Sequence, residues 1–184
     1  MMKVKFLVTM LVAASAMFVH ATDGFFNSNG VKIRYVSEGQ GVPIVLIHGW
    51  MSDAAMWGTD FAGNAKPTPP AGFQVIAMDC RGHGKSDKPH DPAKYGVEMA
   101  LDVVRLLDHL KIKKAHLVGY SMGTFIVGKV VATHPERVLS VIYGGQAPLL
   151  IGEAGAKEIE VFAKAVDDGK GLGPYLMHVR PGLT

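Results

Sequence analysis

The stretch Leu117-Val118-Gly119-Tyr120-Ser121-Met122-Gly123 constrains this chain more than any other. Two apolar residues lead into Gly-x-Ser-x-Gly, and a largely apolar run from Thr124 to Val131 follows. That order is a short strand, a sharp turn and a helix, the setting in which a serine hydroxyl is exposed at an elbow. Such a turn forces the serine backbone into a sparsely populated conformation, and strand and helix must approach without Cβ atoms between them. Gly119 and Gly123 meet that demand. The pentapeptide alone is only moderately specific, so the surrounding chain decides its meaning.

Upstream, Gly30 to Tyr35 alternates Val31, Ile33 and Tyr35 with Lys32 and Arg34, which predicts a half-exposed strand. After the turn Gly39-Gln40-Gly41, the run Ile44-Val45-Leu46-Ile47 predicts a strand buried on both faces, ending in His48-Gly49-Trp50-Met51. Asp53 is placed to cap a short helix reaching towards Asp60. The prolines of Lys66-Pro67-Thr68-Pro69-Pro70 exclude helix and central strand. Phe73 to Met78 predicts another strand, closing on Asp79-Cys80-Arg81-Gly82-His83-Gly84-Lys85-Ser86. That loop is rich in glycine but lacks the lysine spacing of a phosphate cradle.

Val97 to Leu110 predicts a helix with Glu98, Asp102, Arg105 and His109 on a solvated stripe and Val97, Leu101, Val104 and Leu107 facing a core. His134-Pro135 stops the elbow helix, and Val138 to Tyr143 predicts a further strand. From residue 147 the pattern changes. Glu153, Lys157, Glu160, Lys164 and Asp168 form one polar stripe opposite Ile159, Phe162 and Val166, a single amphipathic helix. Strands alternating with helices predict a mostly parallel sheet with helices on both faces. Loops at the carboxyl ends of such strands meet at one crevice, where ligands bind.

The His48-Gly49-Trp50 turn, the Asp79-x-Arg81-Gly82-x-Gly84-x-Ser86 loop, the serine elbow and His134-Pro135-Glu136-Arg137-Val138 occur in that order. Together they resemble the α/β-hydrolase superfamily from about Val31 to Pro148. The resemblance implies that Ser121 is a nucleophile forming an acyl-enzyme with a small-molecule acyl substrate. The backbone N–H of Met122 and that of Trp50 would line an oxyanion hole, each donor being worth roughly 3–4 kcal/mol. Trp50 and Met51 would also supply apolar wall. His48 would support the oxyanion loop, and Asp79, Arg81, His83, Lys85 and Ser86 would brace the loop after their strand. The implied reaction is hydrolysis of carboxylic esters or related acyl bonds, with cofactor-free haloperoxidase-like chemistry or acyl transfer as alternatives. Serine at the elbow argues against dehalogenase or epoxide-hydrolase chemistry, whose family nucleophile is an aspartate.

The family's acid and histidine come after the serine. Here the later acids are Glu136, Glu153, Glu158, Glu160, Asp167 and Asp168, and the later histidines are His134 and His178. His134 and Glu136 lie beyond a helix about 18 Å long. His178 follows a cap-like helix and no strand. The expectation is therefore an amino-terminal part of a longer hydrolase, with residues 22–146 as core and 147–184 as the start of a helical cap. An inert truncated protein or binding module is the alternative. In either case Val138–Tyr143 would present an open apolar edge.

The first residues carry Lys3 and Lys5, then an apolar run from Phe6 to Val19 and Val19-His20-Ala21. This fits a secretory leader over 1–21 cleaved after Ala21. The run is short for a spanning helix, which needs about 20 apolar residues. The chain's formal charge of +3 falls to about +1 without those two lysines, giving no electrostatic basis for gripping nucleic acid or acidic lipid. Export and no stable membrane association follow as expectations. Cys80 is the single cysteine and is expected to be a small buried side chain. His90, His116 and His134 are scattered, so neither metal nor cofactor is implied.

Overall fold

Apolar runs punctuated by glycine and proline become six strands in a computed structural model of the chain, which describes residues 22–58 and 67–145, with Lys157, Glu160, Val161 and Lys164. The strands are β1 (Thr22–Ser28), β2 (Val31–Gly39), β3 (Val42–Ile47), β4 (Phe73–Met78), β5 (Ala115–Tyr120) and β6 (Val138–Gly144). Two α-helices, α1 (Val97–His109) and α2 (Met122–Thr133), lie between β4 and β6 in sequence. The six strands form one sheet in the order β1-β2-β4-β3-β5-β6. β1, β2 and β4 pair antiparallel, whereas β4, β3, β5 and β6 run parallel. The mostly parallel sheet and the elbow helix agree with the sequence expectation.

Register positions the site. Ile47 is opposite both Met78 and Gly119, so β3, β4 and β5 end at one level. His48, Asp79 and Ser121 follow directly from those ends. Along β3 and β4, side chains alternate between two layers. Val45, Ile47, Ile76 and Met78 face the large core made with α1 and α2, while Leu46 and Ala77 face the short 3-10 helix Ala54–Trp57. Asp53 caps that helix by accepting from the Ala55 amide at 2.8 Å, as its position suggested.

The structure corrects the sequence reading at four points. β1 was not anticipated, because Thr22-Asp23-Gly24 and Asn27-Ser28 are turn-forming residues around two phenylalanines. It forms because Asn29 (φ 54°) and Gly30 (φ 82°) make a two-residue hairpin loop with both central residues at positive φ, a turn that matches the strand twist. Arg34, expected on a solvent face, is buried because Asp23 and Asp79 flank its guanidinium. Asp102, expected on the solvated stripe of α1, is buried against Arg81, while Val97, expected in the core, is exposed. The apolar edge expected at the last strand is present among the described residues. Leu139 and Ile142 of β6 are 48% and 60% exposed.

Lys157, Glu160 and Lys164, which belong to the expected polar stripe of the cap helix, are helical and exposed. Ile159, Phe162 and Val166 lie outside the described residues, as do the expected leader and His178.

Candidate active site

Ser121 stands between β5 and α2 at φ 48° and ψ −112°, a strained backbone for a residue with a Cβ. Contacts explain the flanking glycines. A Cβ on Gly119 would lie 2.3 Å from the Gly123 carbonyl oxygen, and one on Gly123 would lie 2.2 Å from that of Ile47. Neither partner can yield, since both are backbone. The turn is held on the β6 side by the Ser121 amide, which donates to the Gly144 carbonyl at 2.9 Å. Thr124 closes the first turn of α2, its amide and hydroxyl donating to the Ser121 carbonyl at 2.9 and 2.7 Å.

Met122 is the first residue of α2. Its N–H is among the opening helical donors, which have no acceptor within their own helix. The loop after β3 comes up against the elbow at Gly49, where a Cβ would lie 3.3 Å from Ser121 Cβ and 3.0 Å from the Tyr120 ring. Trp50 and Met51 follow, both exposed, and Met51 has φ 59°. The structure thus brings the three sequence-predicted residues Ser121, Met122 and Trp50 to one end of the sheet.

His48 is fully buried and has both ring nitrogens engaged. Nε2 accepts from the Cys80 amide at 2.9 Å, so in the neutral ring the proton sits on Nδ1 and is donated to the Gly49 carbonyl at 2.7 Å. Burial holds its pKa below the ordinary imidazole value, which favours this neutral form. With no free nitrogen, His48 orients the loop and cannot take a proton from the serine.

Asp79, also fully buried, accepts from the Ala54 amide at 2.7 Å and the Lys85 amide at 2.8 Å. Ser86 Oγ donates to the Asp79 carbonyl at 2.7 Å and accepts from the Arg34 amide at 2.8 Å. Gly84 has φ 50°, and a Cβ there would meet Asp79 Oδ2 at 2.4 Å. The glycine of this loop is therefore a packing requirement. Arg81 grips Asp102 through two nitrogens at 2.7 and 2.5 Å and donates to the Lys94 carbonyl. His83 packs edge-on to His48, ring centroids 5.1 Å apart. These residues brace the loops rather than face the elbow, as the sequence led one to expect. Cys80 is buried, and burial pushes its thiol well above the ordinary range, leaving it protonated and unreactive.

Other candidates stand apart. His116 pairs with Ser140 at 2.7 Å near the opposite end of β5, and His90 is exposed on a loop. His134 caps the far end of α2, a 12-residue helix, which at 1.5 Å per residue puts it about 18 Å from the serine. Glu136 lies beyond it in a 3-10 turn. Among the described residues, none is hydrogen-bonded to Ser121 Oγ, and no cluster of three or more His, Cys, Asp or Glu could hold a metal ion.

Sequence reasoning missed Arg34, Asp23, Ser28 and Asp102 as supports of this region. The Asn29-Gly30 hairpin signal would have revealed β1, and with it Asp23 and Ser28.

A model of the alpha/beta hydrolase fold matches residues 42–153, more than half of the chain. The chain belongs to the α/β-hydrolase family. Within that family it is 36% identical over 118 residues to the dihydrolipoyllysine-residue acetyltransferase component of an acetoin cleaving system from Cupriavidus necator, covering 64% of this chain and 30% of that one. It is 31% identical over 113 residues to bifunctional epoxide hydrolase 2 of Sus scrofa, covering 61% of this chain and 20% of that one. Among solved structures, epoxide hydrolase A from Mycobacterium thermoresistibile matches with a TM-score of 0.64 at 27% identity, over 77% of this chain and 45% of that one. This α/β-hydrolase chain spans less than half the length of each of these relatives.

Proposed function

We propose that this chain carries the nucleophile and oxyanion hole of a serine hydrolase acting on carboxylic esters or related acyl bonds. The observation that carries the reading is Ser121 at φ 48° on a glycine-walled elbow, with the Gly49 loop packed against it. Ser121 Oγ attacks the carbonyl carbon and the alcohol leaves, giving an acyl-enzyme that water then hydrolyses. The Met122 and Trp50 amides stabilise the tetrahedral oxyanion, each worth roughly 3–4 kcal/mol. The serine proton goes to a base outside the described residues, because His48 is fully engaged and His134 is at the wrong end of α2.

Relatives named epoxide hydrolases share the fold, but the elbow residue here is a serine, which supports acyl chemistry over attack on an epoxide. The likeness to a protein named as an acetyltransferase supports a second reading, in which the acyl group passes to an acceptor other than water. Offering peroxide or a thiol in competition with water separates the two. The same proposal includes export, after removal of residues 1–21.

A fluorophosphonate probe tests the reading directly. The full chain is expected to be labelled and Ser121→Ala to be blank. No labelling of the wild type under conditions that label a related esterase would sink it, as would equal labelling of both proteins.

A further inference from the structure

The loop from His48 to Ala54 hangs from one dipeptide. Its leading end is fixed where His48 Nε2 accepts from the Cys80 amide, and its trailing end where the Ala54 amide donates to Asp79 Oδ1. Asp79 and Cys80 are consecutive residues just past β4. The Asp79 carboxylate therefore sets where the loop ends, and the backbone of the next residue sets where it begins.

That carboxylate is buried, and among the described residues Arg34 supplies the positive charge opposite it, Nη1 lying 3.3 Å from Oδ2. The guanidinium is 4% exposed and is itself shared. Nε and Nη2 turn the other way and donate to the two oxygens of Asp23 on β1, at 2.7 and 2.8 Å. Arg34 is also locked through its backbone, its amide donating to Ser86 Oγ at 2.8 Å and its carbonyl accepting from the Asp79 amide at 3.0 Å. Gly84 lies against both acids, since a Cβ there would meet Asp79 Oδ2 at 2.4 Å and Asp53 Cβ at 2.9 Å, which leaves the carboxylate little room on that side. The other end of β1 makes a parallel connection. Ser28 Oγ donates to Asp102, which holds Arg81, the residue after Cys80. Both ends of β1 thus reach the segment 79–81 through a guanidinium–carboxylate pair.

We propose that Arg34 is a positioning residue for the oxyanion loop, acting through Asp79, and that β1 belongs to the same device through Asp23. Removing one partner of a buried ion pair leaves the other charge uncompensated. In an Arg34→Met chain the Asp79 carboxylate draws in water or shifts, and the Ala54 amide loses its fixed acceptor. The consequence for catalysis rests on the acyl-transfer reading above, but the consequence for the loop does not.

The test is site-resolved amide hydrogen exchange on the full chain, read at Ala54 and at Val127 and Val130 in α2. In Arg34→Met the Ala54 amide is expected to exchange roughly tenfold faster, with the α2 amides unchanged, since local openings are independent of the global one. Arg34→Lys keeps the charge and is expected to fall between the two. Wild-type exchange at Ala54 in Arg34→Met would overturn the proposal. An equal rise at Ala54 and in α2 would overturn it too, because Arg34 would then hold the fold rather than the loop. If Arg34→Met does not fold, Asp23→Asn carries the test, with about twofold faster exchange expected at Ala54 alone and no rise overturning it. Fluorophosphonate labelling of the same preparations separates the two readings. An unlabelled wild type would reject the acyl-transfer reading and leave the exchange result standing. Slower labelling of Arg34→Met, partly rescued by Arg34→Lys, is expected where both hold.

Discussion

The two margins of this sheet are finished by opposite means. At the β1 margin Phe26 is buried against the core, and the termini are tied inward by Asp23 to Arg34 and by Ser28 to Asp102. At the β6 margin no residue from Val138 to Gly144 is charged, two large apolar side chains are exposed, and among the described residues no strand pairs with the outer side. An edge strand without charge, proline or cover is the type that templates pairing with another chain. The elbow sits between these margins and leans on both. Its serine amide bonds to Gly144 of β6, and its neighbouring loop is braced from the β1 side. The lesson is that, among the described residues, the open margin holds the elbow through a single backbone hydrogen bond, whereas the seam and the β1 margin hold it through packed backbone and buried charge.

The strongest way to break that contrast is to put a methyl group into the seam. Gly123→Ala would place a Cβ 2.2 Å from the Ile47 carbonyl oxygen and 3.0 Å from that of His48. Both are strand-end backbone, so β3 and α2 must separate. A loss of more than about 3 kcal/mol is expected, read as a shift in the denaturation midpoint. A midpoint close to wild type would show that the seam is looser than its distances state.

A smaller effect is expected from pH, acting at the loop anchor. His48 is held neutral by burial, with its folded pKa below the ordinary value of 6.5. Above that value both folded and unfolded rings are neutral and nothing changes. As pH falls through it, the unfolded chain takes up a proton that the folded chain refuses, so stability drops until the folded pKa is passed. The thermal midpoint is expected to fall between about pH 7 and pH 5, and His48→Gln to flatten that fall. Parallel slopes for the two proteins would mean that His48 is not the group responsible.

Most of the sheet was legible because its strands are continuous apolar runs, and the elbow because glycine spacing leaves few alternatives to a tight strand-to-helix turn. β1 was hidden by its composition. Asp23, Gly24, Asn27 and Ser28 read as loop, and only pairing with β2 across the Asn29-Gly30 turn makes them a strand. Asp102 was misread for a different reason. Helical periodicity groups it with Glu98 and Arg105, and nothing local reveals a guanidinium 21 residues earlier that follows it into the core. Arg34 was misread in the same way, since alternation along β2 marks a face but not the carboxylates waiting on it. Long-range charge pairing is invisible to periodicity. Around the elbow, the candidate residues Ser121, Met122 and Trp50 and the braces His48, Asp79, Arg81 and Ser86 were legible in the sequence, whereas Asp23, Ser28, Arg34 and Asp102 beneath them were not.

The weakest expected effect falls on the open margin. Ile142→Lys puts a charge on β6 at a side chain that is already 60% exposed. Little buried apolar area is lost, so the unfolding free energy is expected to stay within about 0.5 kcal/mol of wild type. Association should change far more, because an edge lysine opposes pairing with a second uncharged edge. Light scattering at matched concentration is expected to show slower aggregation of Ile142→Lys than of wild type. The same substitution type at Phe26, on the closed margin, should instead lower the unfolding free energy by several kcal/mol, since its side chain is in the core. Equal destabilisation at the two positions would mean that β6 is covered as closely as β1, and the contrast between the margins would fail.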